Sequence, residues 1–307
     1  MALRLGLCCL FAAAPVKFRR TTATALARLG RDEQLARLSS LCLENSMTLL
    51  AALEECQALG ISAFRVMSPL FPLFTHPERG YQLGDLPDHD AIDGKLREVA
   101  AFRRSRGMRL SFHPDQFVVL SSPRPPVAAS AAAELEYQGV LASLTGADVV
   151  NLHLGGVHEG KPESMTRFRH AFAGLTEAVK TRLTLENDDR LYTPADLAPL
   201  CRELGIGLVY DVHHHRCNPD GLSVAAATEL SLETWRALGR EAYFHLSSPK
   251  HGWGAKPRPH ADYIDFADFP EEWLRLGCAV TVDVEAKAKE LAIARLRSDL
   301  AGRCQLL

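Results

Sequence analysis

The sequence predicts an α/β fold, a single (β/α)8 or TIM barrel with its active site at the C-terminal ends of the strands. Three observations carry this. Eight short apolar runs alternate with segments of helical spacing. The runs are continuously apolar rather than alternating, as in parallel strands buried on both faces. The ligand-type polar residues fall where those runs end, and that end is where such barrels build their sites.

The elements follow in order. The first strand is expected over 4–9, and the apolar stretch 5–16 reads as this strand rather than as a short signal segment, because one Arg is a poor basic flank. Helices over 35–43 and 46–59 come next, the second opened by a Ser46 cap and closed by Gly60. Strand 63–67 leads to helix 90–106, ended by Gly107, and strand 109–113 to helix 127–144, ended by Gly146. Strand 149–154 leads to helix 163–180, strand 183–187 to helix 194–204, and strand 207–212 to helix 223–238. Strand 243–247 leads to helix 269–276, and strand 279–285 closes the series. Stretches 75–90, 121–126 and 249–259 read as loops inside one domain spanning 1–307, with 288–307 a C-terminal helix or tail.

Composition bounds the function. The 307 residues are 47% hydrophobic and 23% charged, a globular mix that excludes a disordered or fibrous chain. No apolar run reaches the ~18–20 residues of a membrane span, so no membrane partner is expected. The net charge of −2 gives no whole-molecule pull toward nucleic acid. Eight cysteines without a short-spaced pair fit free thiols of a cytoplasmic protein. No Gly-rich dinucleotide turn follows the first strand, so no nucleotide cofactor is expected.

The 12 histidines are the unusual feature. His113, His153, Glu186, Asp211, His214, His245 and Glu285 stand at or near strand ends, with His260 in the loop after strand seven. A lone His in an apolar strand is most often a bonded core residue. Together these groups would converge on one cavity, and buried ionisable groups need partners or metal. Imidazole with carboxylate and no thiolate suits Mn²⁺, Zn²⁺ or Fe²⁺. The set is too large for one ion, so two or three divalent ions are expected, with Glu186 placed to bridge. Paired ions ~3.5–4 Å apart can serve both the attacking and the leaving oxygen in phosphoryl chemistry.

Several segments together resemble the UV damage endonuclease family, a branch of the endonuclease IV-like and xylose-isomerase-like barrels. They are Arg4-Leu5-Gly6, Phe64-Arg65-Val66, Ser111-Phe112-His113-Pro114-Asp115-Gln116-Phe117, Asn151-Leu152-His153-Leu154-Gly155-Gly156, Leu185-Glu186-Asn187-Asp188, Asp211-Val212-His213-His214-His215 and His260-Ala261-Asp262-Tyr263-Ile264, closed by Glu285-Ala286-Lys287. The match covers about residues 3–290. The resemblance implies a metal-dependent repair endonuclease that cuts damaged double-stranded DNA immediately 5′ of UV photoproducts, and for some members of abasic sites, leaving a 3′-hydroxyl. It implies one ion on His113, His153 and Glu186, a second on Glu186, Asp211, His245 and Glu285, and a third on His214 and His260. Asp262 is a candidate carboxylate for the third.

Gln116 and Phe117 match the family's probing pair, which wedges into the stack where a lesion has weakened it. Further DNA or lesion contacts are expected from Leu7, Arg65, Asn187, Lys250, Lys256 and Arg258, with catalytic roles for Glu186, Glu285 and Lys287. His213 and His215 are expected to support or pack. Two positions depart from the pattern: Leu7 replaces an aromatic residue that many members carry, and Tyr243 replaces a lysine found in some. A monomer is expected, nucleoid-associated if bacterial. Two rival readings use the same residues: a sugar isomerase or epimerase on the same metal-binding barrel, and a non-catalytic DNA-damage binder.

Overall fold

In the computed structural model, which describes residues 2–254 and 256–307, eight parallel strands close into a barrel. They are β1 (Ala2–Cys8), β2 (Ala63–Val66), β3 (Arg109–Phe112), β4 (Val149–His153), β5 (Leu183–Glu186), β6 (Gly207–Asp211), β7 (Ala242–Leu246) and β8 (Val280–Val284). They pair in sequence order, and β1 meets both β8 and β2 to close the ring. A ninth short strand, β9 (Gln305–Leu306), pairs with Ala2 and Leu3 of β1, below the level where β2 joins it. Nearly every strand residue is buried, as the continuous apolar runs predicted.

Helices cover the outside: α1 (Ala23–Leu26), α2 (Arg31–Ala58), α3 (His89–Ser105), α4 (Pro125–Thr145), α5 (Lys161–Ala173), α6 (Glu177–Lys180), α7 (Pro194–Leu204), α8 (Val212–Cys217), α9 (Val224–Ala237) and α10 (Glu290–Leu300). The last of these and β9 form the segment after 288.

Three helix expectations need correction. The two helices expected over 35–43 and 46–59 are one, α2. Ser46 is no cap: it is buried inside α2, and its hydroxyl donates to the Cys42 carbonyl. With no Gly or Pro at 44–45, nothing breaks the backbone ladder. The expected helix 163–180 is two pieces, α5 and α6, separated at Gly174. The expected helix 269–276 is a tight 3-10 turn over Glu271–Arg275, which Pro270 precedes.

Strand register sets the site. His153 lies level with Glu186 on the neighbouring strand. Asp211, His245, Asp283 and Gly6 form one row across β6, β7, β8 and β1. Paired residues in parallel strands point to the same side, so one row of side chains meets inside the mouth. Gly6 is required in it: a Cβ there would stand 2.0 Å from an Asp283 carboxylate oxygen.

Candidate metal centre

Glu186, 1% exposed, is the hub. Its Oε2 lies 3.1 Å from His113 Nε2 and 3.8 Å from His153 Nε2, and it accepts from Asn151 Nδ2. Its Oε1 lies 3.1 Å from both His214 Nδ1 and His245 Nδ1. Burial opposes its charge, but the surrounding imidazoles hold its carboxyl well below the usual range.

Asp211 ends β6 and caps α8 directly. Its Oδ1 accepts the His214 backbone N–H at 2.7 Å, which fixes where the His214 side chain starts. Its Oδ2 faces the cavity, 3.5 Å from His214 Nδ1 and 3.9 Å from His245 Nδ1. Burial works against a charged His214, yet Asp211, Glu186 and Glu285 raise its pKa well above the ordinary imidazole value. For His113, burial prevails over Glu186 and the pKa falls.

Glu285, one residue past β8, reaches 3.5 Å from His245 Nδ1 and 3.6 Å from His260 Nδ1. Burial opposes its ionisation, but Arg65 beside it drives its carboxyl strongly down.

Three groups of ligand atoms result, each within 4.8 Å: His113, His153 and Glu186; Glu186, Asp211 and His214; and Asp211, His245 and Glu285. Glu186 and Asp211 each belong to two groups. His214 therefore stands with Glu186 and Asp211; its ring centroid is 6.2 Å from that of His260. Asp262 is exposed and belongs to none of the three.

The donor set fits divalent ions. Buried Glu186 Oε1, Asp211 Oδ2, His153 Nδ1 and His245 Nδ1 have no hydrogen-bond partner among the described residues. Buried polar atoms without partners are costly. Oxygen and imidazole ligands sharing bridging carboxylates are what a cluster of ions needs.

Three residues expected at the DNA surface are buried beneath it. Leu7 is fully buried in β1. Asn187 is 0% exposed and clamps the ends of β5 and β6, its amide donating to the Asp211 carbonyl at 2.8 Å while its carbonyl oxygen accepts from the Asp211 N–H at 3.0 Å. Arg65 lies under the carboxylates: Nε donates to Asp283 at 2.9 Å, Nη1 pairs with Glu285 at 2.7 Å, and Nη2 stands 2.9 Å from His245 Nε2. The same imidazole turns its Nδ1 toward Glu186.

Gln116, Phe117, Lys250, Lys256, Arg258 and Lys287 are all exposed. Phe117 is 78% exposed and takes no part in the core. Arg258 is partly committed, 3.0 Å from the Asp189 carboxylate. His215 packs between Tyr210 and Asp220, and His213 Nε2 faces the Arg258 carbonyl.

Asn151 and Asp283 were not singled out in the sequence. Asn151 donates to the hub, and Asp283 holds Arg65. Tyr243, in the place of the family's lysine, donates to Asp283 Oδ1 at 2.7 Å and bonds Ser111 at 2.8 Å. Position i and i+2 alternation would have found both: Asn151 shares a face with His153, and Asp283 with Glu285.

Fold and site together define a parallel barrel with an imidazole–carboxylate metal centre at its C-terminal mouth. The chain belongs to the UV-endonuclease UvdE family, whose sequence model matches residues 3–306. It is 32% identical over 302 residues to the UV DNA damage endonuclease of Bacillus velezensis, covering 96% of this chain and 91% of that one. It is 36% identical over 270 residues to the UV-damage endonuclease of Schizosaccharomyces pombe, covering 82% of this chain and 43% of that longer protein. The crystal structure of SacUVDE superposes with a TM-score of 0.84 at 28% identity, covering 97% of this chain and 98% of that one. Endonuclease IV from Thermus thermophilus shares the fold, with a TM-score of 0.56 at 22% identity over 82% of this chain and 95% of that one. Among the described residues no helix is long and apolar enough to cross a membrane.

Proposed function

We propose that this protein is a UV damage endonuclease that hydrolyses the phosphodiester immediately 5′ of UV photoproducts in duplex DNA, leaving a 3′-hydroxyl, and that abasic sites fall within its range. The observation that carries this is the bridged ligand set with its orphaned acceptors at an open barrel mouth. Two or three divalent ions, Mn²⁺ first, would be held by His113, His153, Glu186, Asp211, His214, His245 and Glu285, with His260 beside Glu285. When bound, they supply Lewis acidity toward the phosphate and a nucleophile at neutral pH.

The chain's own residues do the rest. Glu186 and Asp211, each part of two ligand groups, would be shared between ions. Arg65, tied to Asp283, fixes the positions of Glu285 and His245. Glu285 orients the attacking group or accepts its proton. Lys287, two residues on, neutralises charge on the phosphate in the transition state. Gln116 and Phe117 probe the stack, and Lys250, Lys256 and Arg258 hold backbone phosphates. A sugar isomerase needs a small closed pocket, and an exposed Phe117 at the mouth does not supply one. A binder without catalysis has no use for bridged carboxylates.

The test is cleavage mapping by metal-loaded protein on three duplexes: one with a single cyclobutane dimer, one abasic, one undamaged. A nick 5′ of the dimer that Glu186→Gln abolishes is the expected result. Binding without a nick would favour the non-catalytic reading, and neither binding nor a nick would refute the assignment.

A further inference from the structure

Phe117 is one exposed aromatic beside the barrel mouth. A different aromatic stands at the mouth. Trp253, in the loop between β7 and the turn at Phe266–Asp268, is 42% exposed yet firmly held. Its Nε1–H donates to Asp268 Oδ1 at 2.7 Å. The Arg216 guanidinium lies 5.5 Å from its ring centre, and the His213 ring 5.2 Å away. His213 in turn lies 5.1 Å from His260, so the indole borders the metal centre. The loop carrying it is pinned at its base, where Lys250 N donates to the Pro259 carbonyl and Ala261 N to that of Ser248. Lys250, Lys256 and Arg258 flank it in the same loop.

With its polar atom satisfied and Arg216 and His213 against it, the indole still presents apolar ring surface to solvent. Among cationic side chains, the occupant that fits such a face is a nucleobase, since base stacking tolerates any sequence and the adjacent cations suit its phosphates. Phe117 follows β3 and Trp253 follows β7, four strands apart around an eight-stranded ring. The two aromatics therefore stand on opposite sides of the mouth, with the metal centre between them.

We infer that Trp253 is a second base-stacking platform, which seats a nucleobase of the bound DNA across the metal centre from Phe117. This rests on the DNA-cleaving reading above and adds a recognition residue to it. Stacking holds a base displaced from the duplex, so Trp253 favours DNA whose stack is already broken.

The protein carries its own reporter. Of its three tryptophans, Trp235 and Trp273 are buried at 1% and 0% exposure. Metal-loaded protein is mixed with dimer-containing duplex in a stopped-flow instrument, before turnover, with anisotropy of a labelled duplex giving Kd. The expected result is a fall in tryptophan emission and in its acrylamide accessibility on binding. Trp253→Phe should abolish that signal and keep Kd within about threefold, because a phenyl ring still stacks. Trp253→Ala should weaken binding by about 5–150-fold, the range for loss of one base–aromatic stack. It should leave metal content and the salt dependence of Kd unchanged, since no charge is removed. The inference is overturned if wild type binds and cuts the dimer duplex while emission, accessibility and the Trp253→Ala Kd stay constant. It is also overturned if Trp253→Ala loses metal in step with binding, which would make the indole a support for His213. Wild type that neither binds nor cuts would refute the site reading together with this one.

Discussion

Both ends of this barrel bury charge, and they do so in opposite ways. At the floor, Arg109 donates to Asp148 through Nε and Nη2 at 3.1 and 3.0 Å, and to Thr281 Oγ1 and the Ala242 carbonyl. Arg4 pairs with Glu241 at 3.1 Å, and Arg240 reaches Asp148. No buried side-chain atom of Arg4, Arg109, Asp148 or Glu241 lacks a partner among the described residues. At the mouth, the guanidinium of Arg65 pairs with Asp283 and Glu285, while Glu186 Oε1 and Asp211 Oδ2 stand without a hydrogen-bond partner among the described residues. Complete pairing is what a structural network requires, and an anionic deficit of partners is what a cation site requires. The floor is a closed structural network, and the mouth presents a ligand set that suits divalent cations.

Changes at either end should separate the two. Glu186→Gln should reduce lesion cleavage to background while leaving a folded barrel, checked by the duplex assay and circular dichroism. Arg109→Met should do the reverse, costing about 1–3 kcal/mol of stability because half-buried Asp148 loses its main partner. Urea unfolding would measure that loss, and metal content per folded chain should not change. Asn151→Ala removes a donor to the hub, and about 10–100-fold lower metal affinity or activity is expected, by titration against a competing chelator. Phe117→Ala should narrow the preference for dimer over undamaged duplex by about tenfold, a loss within the few kcal/mol that wedge insertion involves, with metal content kept.

Protonation should give the smallest effect and the same division. The Asp148 carboxyl is half-buried, which raises its pKa, but Arg109 and Arg240 hold it below the usual range. Its contribution to stability is present above about pH 4, the unfolded value, and is lost as pH falls through the folded one. His214 in metal-free protein has a raised pKa, so its contribution is full below about pH 6.5 and is lost as pH rises through the higher folded value. The Tm of metal-free protein should therefore drop by a few degrees on the alkaline side. Metal-loaded protein should not show that drop, because an ion replaces the proton.

The mouth was far more legible in the sequence than the floor. His113, His153, Glu186, Asp211, His245 and Glu285 end apolar strands, where an ionisable side chain is conspicuous. Arg109 and Asp148 stand at or before strand starts, where charge looks like ordinary loop polarity, and their pairing joins residues from several strands. Leu7, Arg65 and Asn187 misled for a related reason. Motif position placed them near the site, but depth below the rim depends on strand stagger, which no local pattern reports. Helix boundaries failed where tertiary contacts overrode local signals: Ser46 resembles a cap, yet its helix runs on because the buried Asn45 beside it is bonded to Arg19 and Leu70.

The central claim is that the mouth is a cluster built for several cations. It is tested most directly by counting metal ions per folded chain, by elemental analysis after equilibration with Mn²⁺ and desalting. The account expects about two or three ions on wild type, one for each group sharing Glu186 and Asp211, fewer on Glu186→Gln, and an unchanged number on Arg109→Met. Fewer than one ion on folded wild type, with Zn²⁺ and Fe²⁺ giving the same count, would contradict it.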